Sequence, residues 1–258
     1  MNTVRTATRA PVLAVFASIQ GEGAFVGEPQ VFVRLEGCPL RCRWCDTPAS
    51  WVPTSSPEEP AAVAARVAAL EGARPRTVSI TGGEPLMHPE FVRELARELA
   101  PRRVHLETAA AHPRALGRVL DVVAHVSLDL KLPADLDEPV ELSPDSDESG
   151  SQGGHEPSPR DAVSWRAARR DVLAQVRGRD ACGKLVLAGG RTPVDFAVVL
   201  DDVVELAPKL PLIVQPVTPM HGVAAPSADE LHALVEDVRA RDLLVRVLPQ
   251  VHRALRLP

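Results

Sequence analysis

The sequence predicts an α/β protein built on a mostly parallel sheet, barrel-like or open. Three observations predict it. Short segments rich in branched residues alternate with longer helical segments along most of the chain, the pattern of βαβ units. The first helical segment carries marks at both of its ends. The composition is that of an ordinary globular protein, 45% hydrophobic and 24% charged in 258 residues, which is enough chain to bury a substantial core.

The elements follow in order. "VFVRLEG" (31–37) alternates branched and polar residues as a strand does. "SSPEEPAAVAARVAALEGA" reads as a helix, with Ser56 as N-cap, Pro57 at the first helical position, Glu59 completing a capping box and Gly72 as the stop. "TVSIT" (77–81) is a strand ending in "GGEP". "HPEFVRELARELA" is the next helix, "RRVHLETA" the next strand, and "VVAHVSLDLK" (122–131) another strand. "GKLVLA", "LPLIVQPV" and "LLVRVLP" read as strands, separated by the helices "PVDFAVVLDDVVEL" and "SADELHALVEDVRAR". Parallel neighbours joined by helices take right-handed crossovers. One stretch breaks the pattern. "SPDSDESGSQGGHEPSP" (143–159) has no large apolar residue, cannot repay the entropy of ordering, and is expected to be a disordered loop inserted between a strand and a helix. His155 within it reads as solvated.

Bulk properties exclude several classes. The formal net charge is -5, from 29 basic and 34 acidic residues, so no nucleic-acid-binding character is expected. No run approaches the roughly 18 apolar residues of a membrane span. The start "MNTVRTATRAPVLAVFASIQGEG" has arginines before an apolar stretch, but that stretch is too short for a signal peptide and lacks a cleavage site. A cytoplasmic protein is expected. The absence of tyrosine removes any tyrosyl relay. The histidines other than His252 stand singly and read as structural or exposed. His252 lies near enough to the tail to approach a site, but carries no assignment.

The chemistry gathers in "EGCPLRCRWCDTP" (36–48), where Cys38, Cys42 and Cys45 fall within eight residues of a chain with 4 cysteines. A structural zinc site needs four ligands. The remaining cysteine, Cys182, reads as a small buried hydrophobe. A redox pair of Cys42 and Cys45 leaves Cys38 unexplained. Three thiolates suit a [4Fe–4S] cube with one iron open to a ligand. One strand and helix later comes "TGGEPL" (81–86). Gly82 and Gly83 permit close backbone approach, and Glu84 can complement an ammonium. Three-cysteine spacing, an aromatic residue before the last cysteine and this turn together resemble the radical S-adenosylmethionine (SAM) superfamily.

A finer resemblance is to the 7-carboxy-7-deazaguanine synthase family. It is carried by "SIQGEG" (18–23), "VFVRLEGC", "WCDT" (44–47), "ETA" (107–109), "SLDLK" (127–131) and "QPVTP" (215–219), from about residue 14 onward. The resemblance implies one radical SAM domain over residues 1–258, a partial (β/α) barrel of about six parallel strands with flanking helices, and a site at the C-terminal strand ends. It implies hydrogen abstraction from C6 of 6-carboxy-5,6,7,8-tetrahydropterin, ring contraction and loss of ammonia, in queuosine-type 7-deazapurine biosynthesis. Cys38, Cys42 and Cys45 would hold [4Fe–4S]. Trp44, Cys45, Asp46, Gly83, Glu84, Ser127, Asp129, Lys131, Gln215, Pro216, Val217 and Thr218 would meet SAM. Ile19, Gln20, Gly21, Glu22, Arg34, Thr81 and the carboxylate of Pro258 would meet the pterin, and Thr47 would bind Mg2+. An unidentified electron donor and a homodimer come with the family.

Read residue by residue, these assignments compete with plainer ones. Arg34 could be a solvent-facing charge, but a strand covered on both faces argues against that. Gln20 and Glu22 could be a solvated turn rather than readers of a pterin edge. Thr47 beside Asp46 suits a hard cation or simply a turn. Ser127, Asp129 and Lys131 alternate on one strand face, which is either wet or ligand-facing. Two rivals remain: a glycyl-radical-enzyme activating protein, and a zinc or redox module.

Overall fold

The computed structural model describes residues 8–72, 74, 76–137 and 156–257. Residues 143–155 of the expected insertion, and Pro258, lie outside the described residues. In chain order the elements are β1 (Ala10–Ile19), β2 (Pro29–Leu35), β3 (Arg41–Cys42), β4 (Pro57–Glu58), α1 (Pro60–Leu70), β5 (Thr77–Gly82), α2 (Pro89–Glu98), β6 (Val104–Thr108), α3 (Pro113–Gly117) and β7 (His125–Asp129). Then come β8 (Leu136–Asp137), α4 (Ala162–Val176), β9 (Ala181–Leu187), α5 (Pro193–Leu206), β10 (Leu212–Pro216), α6 (Ala228–Ala240), β11 (Val245–Val247) and α7 (Val251–Leu255).

One sheet has the order β11-β10-β9-β7-β6-β5-β2-β1-β4. From β2 to β11 every neighbour is parallel, while β1 pairs antiparallel with β2 and with β4. The parallel run therefore exceeds the expected six strands by one. No pairing among the described residues joins β11 to β4, so the sheet stays open.

The two faces of the sheet differ in chemistry. One is apolar: Val31, Val33, Leu35, Val78, Ile80, Leu106, Val126, Leu128 and Leu185 are buried. They pack in one cluster with Phe91, Val92 and Leu95 of α2, Leu173 of α4, Phe196, Val199 and Leu200 of α5, and Leu234 of α6. Each helix presents an apolar stripe because its apolar residues recur at three- and four-residue spacing. The other face is polar yet buried. Parallel registers set Ser79 beside His105, Glu107 beside Ser127, Ser127 beside Cys182 and Asp129 beside Lys184. Buried polar groups need partners, and these bond one another. Ser79 Oγ donates to Gln30 Oε1 at 2.6 Å and meets His105 Nδ1 at 2.9 Å. His105 Nε2 meets Ser127 Oγ at 2.8 Å, and Ser127 Oγ lies 3.3 Å from Cys182 Sγ. Burial, with His125 nearby, holds the His105 pKa well below its usual value.

Two expectations need correction. Helix α1 begins at Pro60, not Pro57, with Glu59 at the N-cap. Pro57 and Glu58 instead pair with Pro11 and Ala10 as β4, so the strand contact displaces the capping box. The "APVLAVFASI" segment, read only as too short for a signal, is the ten-residue strand β1, which lies between β2 and the short edge strand β4.

Candidate active site

The cluster loop leaves β2 and returns as β4. Its ends are tied by backbone bonds from Gly37 N to Ser50 O at 2.9 Å and from Cys38 N to Trp51 O at 3.0 Å. Glu36, fully buried, accepts from Thr54 N, Thr54 Oγ1, Ser55 N and Ser55 Oγ at 2.7–3.0 Å. Inside the loop, Arg41 donates to Cys38 O at 2.6 Å and Leu40 O at 2.8 Å, and its guanidinium lies 4.8 Å from the Trp51 ring centroid. The loop thus displays its three thiols on a rigid frame.

The "GGEP" turn is welded to that frame. Gly83 N donates to Leu35 O at 2.9 Å and Glu84 N to Gly37 O at 3.0 Å. A Cβ on Gly82, whose φ is 140°, would sit 2.2 Å from Leu35 O; one on Gly83 would sit 2.6 Å from Gly37 O. The close approach these glycines permit is to the cluster loop's own backbone. Glu84 is engaged by the protein itself. Its carboxylate is buried and accepts from Leu86 N at 3.0 Å, Thr108 Oγ1 at 2.7 Å and Ala109 N at 2.8 Å. It braces β5 against β6 and does not line the cavity.

One cavity collects most of the expected residues at the C-terminal strand ends. Cys38, Cys42 and Cys45 line it with Trp44, Asp46, Thr47 and Gly83. Ile19, Gln20, Gly21, Glu22, Arg34 and Thr81 line it from the end of β1 and the loop after it, β2 and β5, and Asp129, Lys131 and Gln215 from the end of β7, the residues just after it and β10. The remaining expected residues lie elsewhere. Ser127 sits below, bonded to His105 and Cys182. Pro216 and Val217 do not line the cavity, and Thr218 Oγ1 donates to Gln250 Oε1 at 2.6 Å instead. Gln20 has both ends engaged. Its Nε2 donates to Glu107 Oε1 at 2.8 Å and its Oε1 accepts from Glu22 N at 3.1 Å, so its amide serves the scaffold.

The donor set fits the groups that the cysteines suggest. All three thiols are free. Burial, then Glu84 and Cys42, pushes the Cys38 pKa up to about 12, and burial raises Cys42 and Cys45 as well. Such thiols become thiolates when a metal replaces the proton. Cys182 is fully buried beneath the cavity and bonded to Ser127, so it supplies no fourth ligand for zinc. Gln215 is buried, lines the cavity, and its Oε1 has no partner. Such an orphaned acceptor suits a ligand with hydroxyl or ammonium donors. At the mouth, ligand atoms of Glu22, Asp46 and His252 lie within 4.8 Å of one another, and Thr47 Oγ1 donates to Asp46 Oδ1 at 3.1 Å.

Charge is organised around these groups. Burial alone would raise the Asp129 pKa, but Lys131 and Lys184 hold it below the carboxylate range. Burial likewise opposes ionised Asp46, and His252 and Arg253 overcome it. Glu107 goes the other way: burial outweighs Lys184, and its pKa is raised. The Arg34 guanidinium rests 5.1 Å from the Phe16 ring centroid.

Comparison with known proteins agrees with this geometry. The sequence profile of the Radical SAM superfamily matches residues 32–141. The 7-carboxy-7-deazaguanine synthase of Methanothermobacter thermautotrophicus is 34% identical over 255 residues, 96% of this chain and 98% of that protein. The chain belongs to the 7-carboxy-7-deazaguanine synthase family. A second family member, from Geobacter sulfurreducens, is 30% identical over 93% of this chain and 94% of its own. The crystal structure of QueE from Escherichia coli superposes with a TM-score of 0.55 at 21% identity, covering 93% of each chain, and so shares the fold. Membership of the radical SAM superfamily implies a [4Fe–4S] cluster and SAM.

Motif reading leaves several cavity residues without a role. Phe16 lies on the unassigned β1. Glu107 was seen within "ETA" but given no role. Gln250, Lys184 and His252 also line the cavity, and no motif includes them. The available signal for Lys184 was a single cation in the otherwise apolar run "ACGKLVL".

Proposed function

We propose that the chain converts 6-carboxy-5,6,7,8-tetrahydropterin into 7-carboxy-7-deazaguanine with loss of ammonia. One observation carries the reading: a single cavity joins the three free thiols to Arg34 and the "SIQGEG" loop. Loaded with its reduced cluster and SAM, such a site supplies hydrogen abstraction from a substrate carbon.

The chain's own residues do the rest. Cys38, Cys42 and Cys45 hold the cluster. Asp129, Lys131 and Gln215 face SAM, while Glu84 keeps the "GGEP" backbone in place for it. Arg34, oriented by Phe16, offers its planar fork to the substrate carboxylate. Glu22 faces the pterin, with Gln20 fixing the loop that carries it. The oxygen groups of Thr47 and Asp46 suit Mg2+, which prefers hard oxygen ligands and retains water. Among the described residues no helix is long and apolar enough to cross a membrane, and clustered reduced thiols favour a cytoplasmic setting. A homodimer and a separate one-electron donor complete the assignment.

The test is reconstitution. Anaerobically loaded protein is expected to hold about four irons per chain. With reductant, SAM, Mg2+ and the carboxytetrahydropterin it should release the deazapurine, identified by mass. Bound iron and SAM without product would sink the substrate assignment and leave the superfamily standing.

A further inference from the structure

Lys184 is a buried cation in the middle of β9, its side chain 5% exposed. Its Nζ lies 2.8 Å from Glu22 Oε2 and 2.9 Å from Asp129 Oδ1, with Glu107 Oε2 at 3.9 Å. The three carboxylates come from three places: the loop after β1, the end of β7 and the end of β6. Their other oxygens reach further groups. Glu22 Oε1 accepts from Gln250 Nε2 at 2.8 Å, Asp129 Oδ2 meets Lys131 Nζ at 3.0 Å, and Glu107 Oε1 accepts from Gln20 Nε2 at 2.8 Å.

An ion pair kept only for stability has little reason to sit here. Burying charge costs several kcal/mol per ion, and an apolar residue of similar volume serves a core as well. Lys184 instead lines the cavity wall. An ammonium has three donors, and three carboxylates surround this one. Among the described residues it is the cation that contacts both Glu22 and Asp129.

We infer that Lys184 is a positioning residue that couples the substrate side of the cavity, through Glu22, to the SAM side, through Asp129. The inference rests on the assignment of those two carboxylates under the proposed function. A ligand that fixes Asp129 also fixes the ammonium, and through it Glu22. The second ligand then meets a group already ordered, so the ordering cost is incurred once and each ligand tightens the other. Such coupling is reciprocal.

The experiment uses anaerobically reconstituted protein without reductant, so that nothing turns over. Calorimetry gives the Kd of SAM with and without the carboxytetrahydropterin, and the Kd of the pterin with and without SAM. In the parent protein each ligand should tighten the other about tenfold. In Lys184→Met that ratio should collapse to about one, and Lys184→Arg should restore part of it, because charge and reach return. Asp129→Asn keeps the lysine but weakens its hold, and should lower the coupling in the same direction; it carries the test if Lys184→Met does not fold. Parent-like coupling in a folded Lys184→Met protein overturns the inference, as does binding of both ligands to the parent without coupling. A parent that binds SAM but no pterin overturns the functional reading, and this inference with it.

Discussion

Replacing Glu36 by alanine should destabilise the protein by about 4 kcal/mol, while glutamine should cost only about 1 kcal/mol. The difference follows from which donors each substitution strands. Glu36 Oε2 accepts the backbone N–H groups of Thr54 and Ser55 at 2.7 and 2.8 Å, and Oε1 accepts the two hydroxyls at 3.0 Å. Alanine leaves two N–H groups without an acceptor, at roughly 1–3 kcal/mol each; the hydroxyls turn elsewhere. Glutamine can place its carbonyl oxygen on both N–H groups and its amide nitrogen against hydroxyls that rotate to accept, losing only the assistance of charge. Urea unfolding of the cluster-free protein, followed by far-ultraviolet circular dichroism, measures both. Acid adds a second reading. Burial opposes ionised Glu36, but the bonds from Ser55 and Thr54 overcome it and hold the folded-state pKa below 4.5. A depressed folded pKa stabilises above the unfolded value and stops doing so as pH falls through the folded one. The advantage of the parent over Glu36→Gln should therefore hold at neutral pH and shrink below about pH 4. A Glu36→Ala cost under about 1 kcal/mol, or a gap over Glu36→Gln that widens in acid, would refute the reasoning.

Three further outcomes are expected. Gly83→Ala puts a Cβ 2.6 Å from Gly37 O and 2.8 Å from Ser50 O; it should cost about 2 kcal/mol and lower the iron bound per chain, as a colorimetric iron assay would show. Cys182→Ala should keep about four irons per chain after reconstitution, since Cys182 bonds Ser127 beneath the cavity; loss of iron would make it a ligand. Thr47→Ala should keep its iron while the Mg2+ concentration for half-maximal activity rises about tenfold, measured by titrating Mg2+ into the product assay.

Local features were legible in the sequence and distant ones were not. Helix α5 spans Pro193–Leu206, the same residues as its quoted segment, because a proline start and a periodic apolar stripe are local signals. The three-cysteine loop was legible for the same reason, its thiols lying within eight residues. Lys184 was not legible, because its meaning comes from the register of β9 against β7, which sets it beside Asp129. The true partners of Glu84 are Leu86, two residues away, and Thr108 and Ala109 across the neighbouring strand; a motif shows a glutamate there but not that its oxygens are already taken. The start of α1 was misplaced because the competing demand came from β1, some fifty residues upstream of Pro57. Helices α3 and α7 have five residues each, too few for a period to register.

The roof of the cavity joins distant parts of the chain. Val251 N donates to Gly21 O at 3.0 Å, and Gln250 reaches Glu22 across 228 residues of sequence. The cavity that holds Cys38, Cys42 and Cys45 is thus completed by contacts between segments far apart in sequence, so a change at residues 250–252 would reach the thiol site through the "SIQGEG" loop.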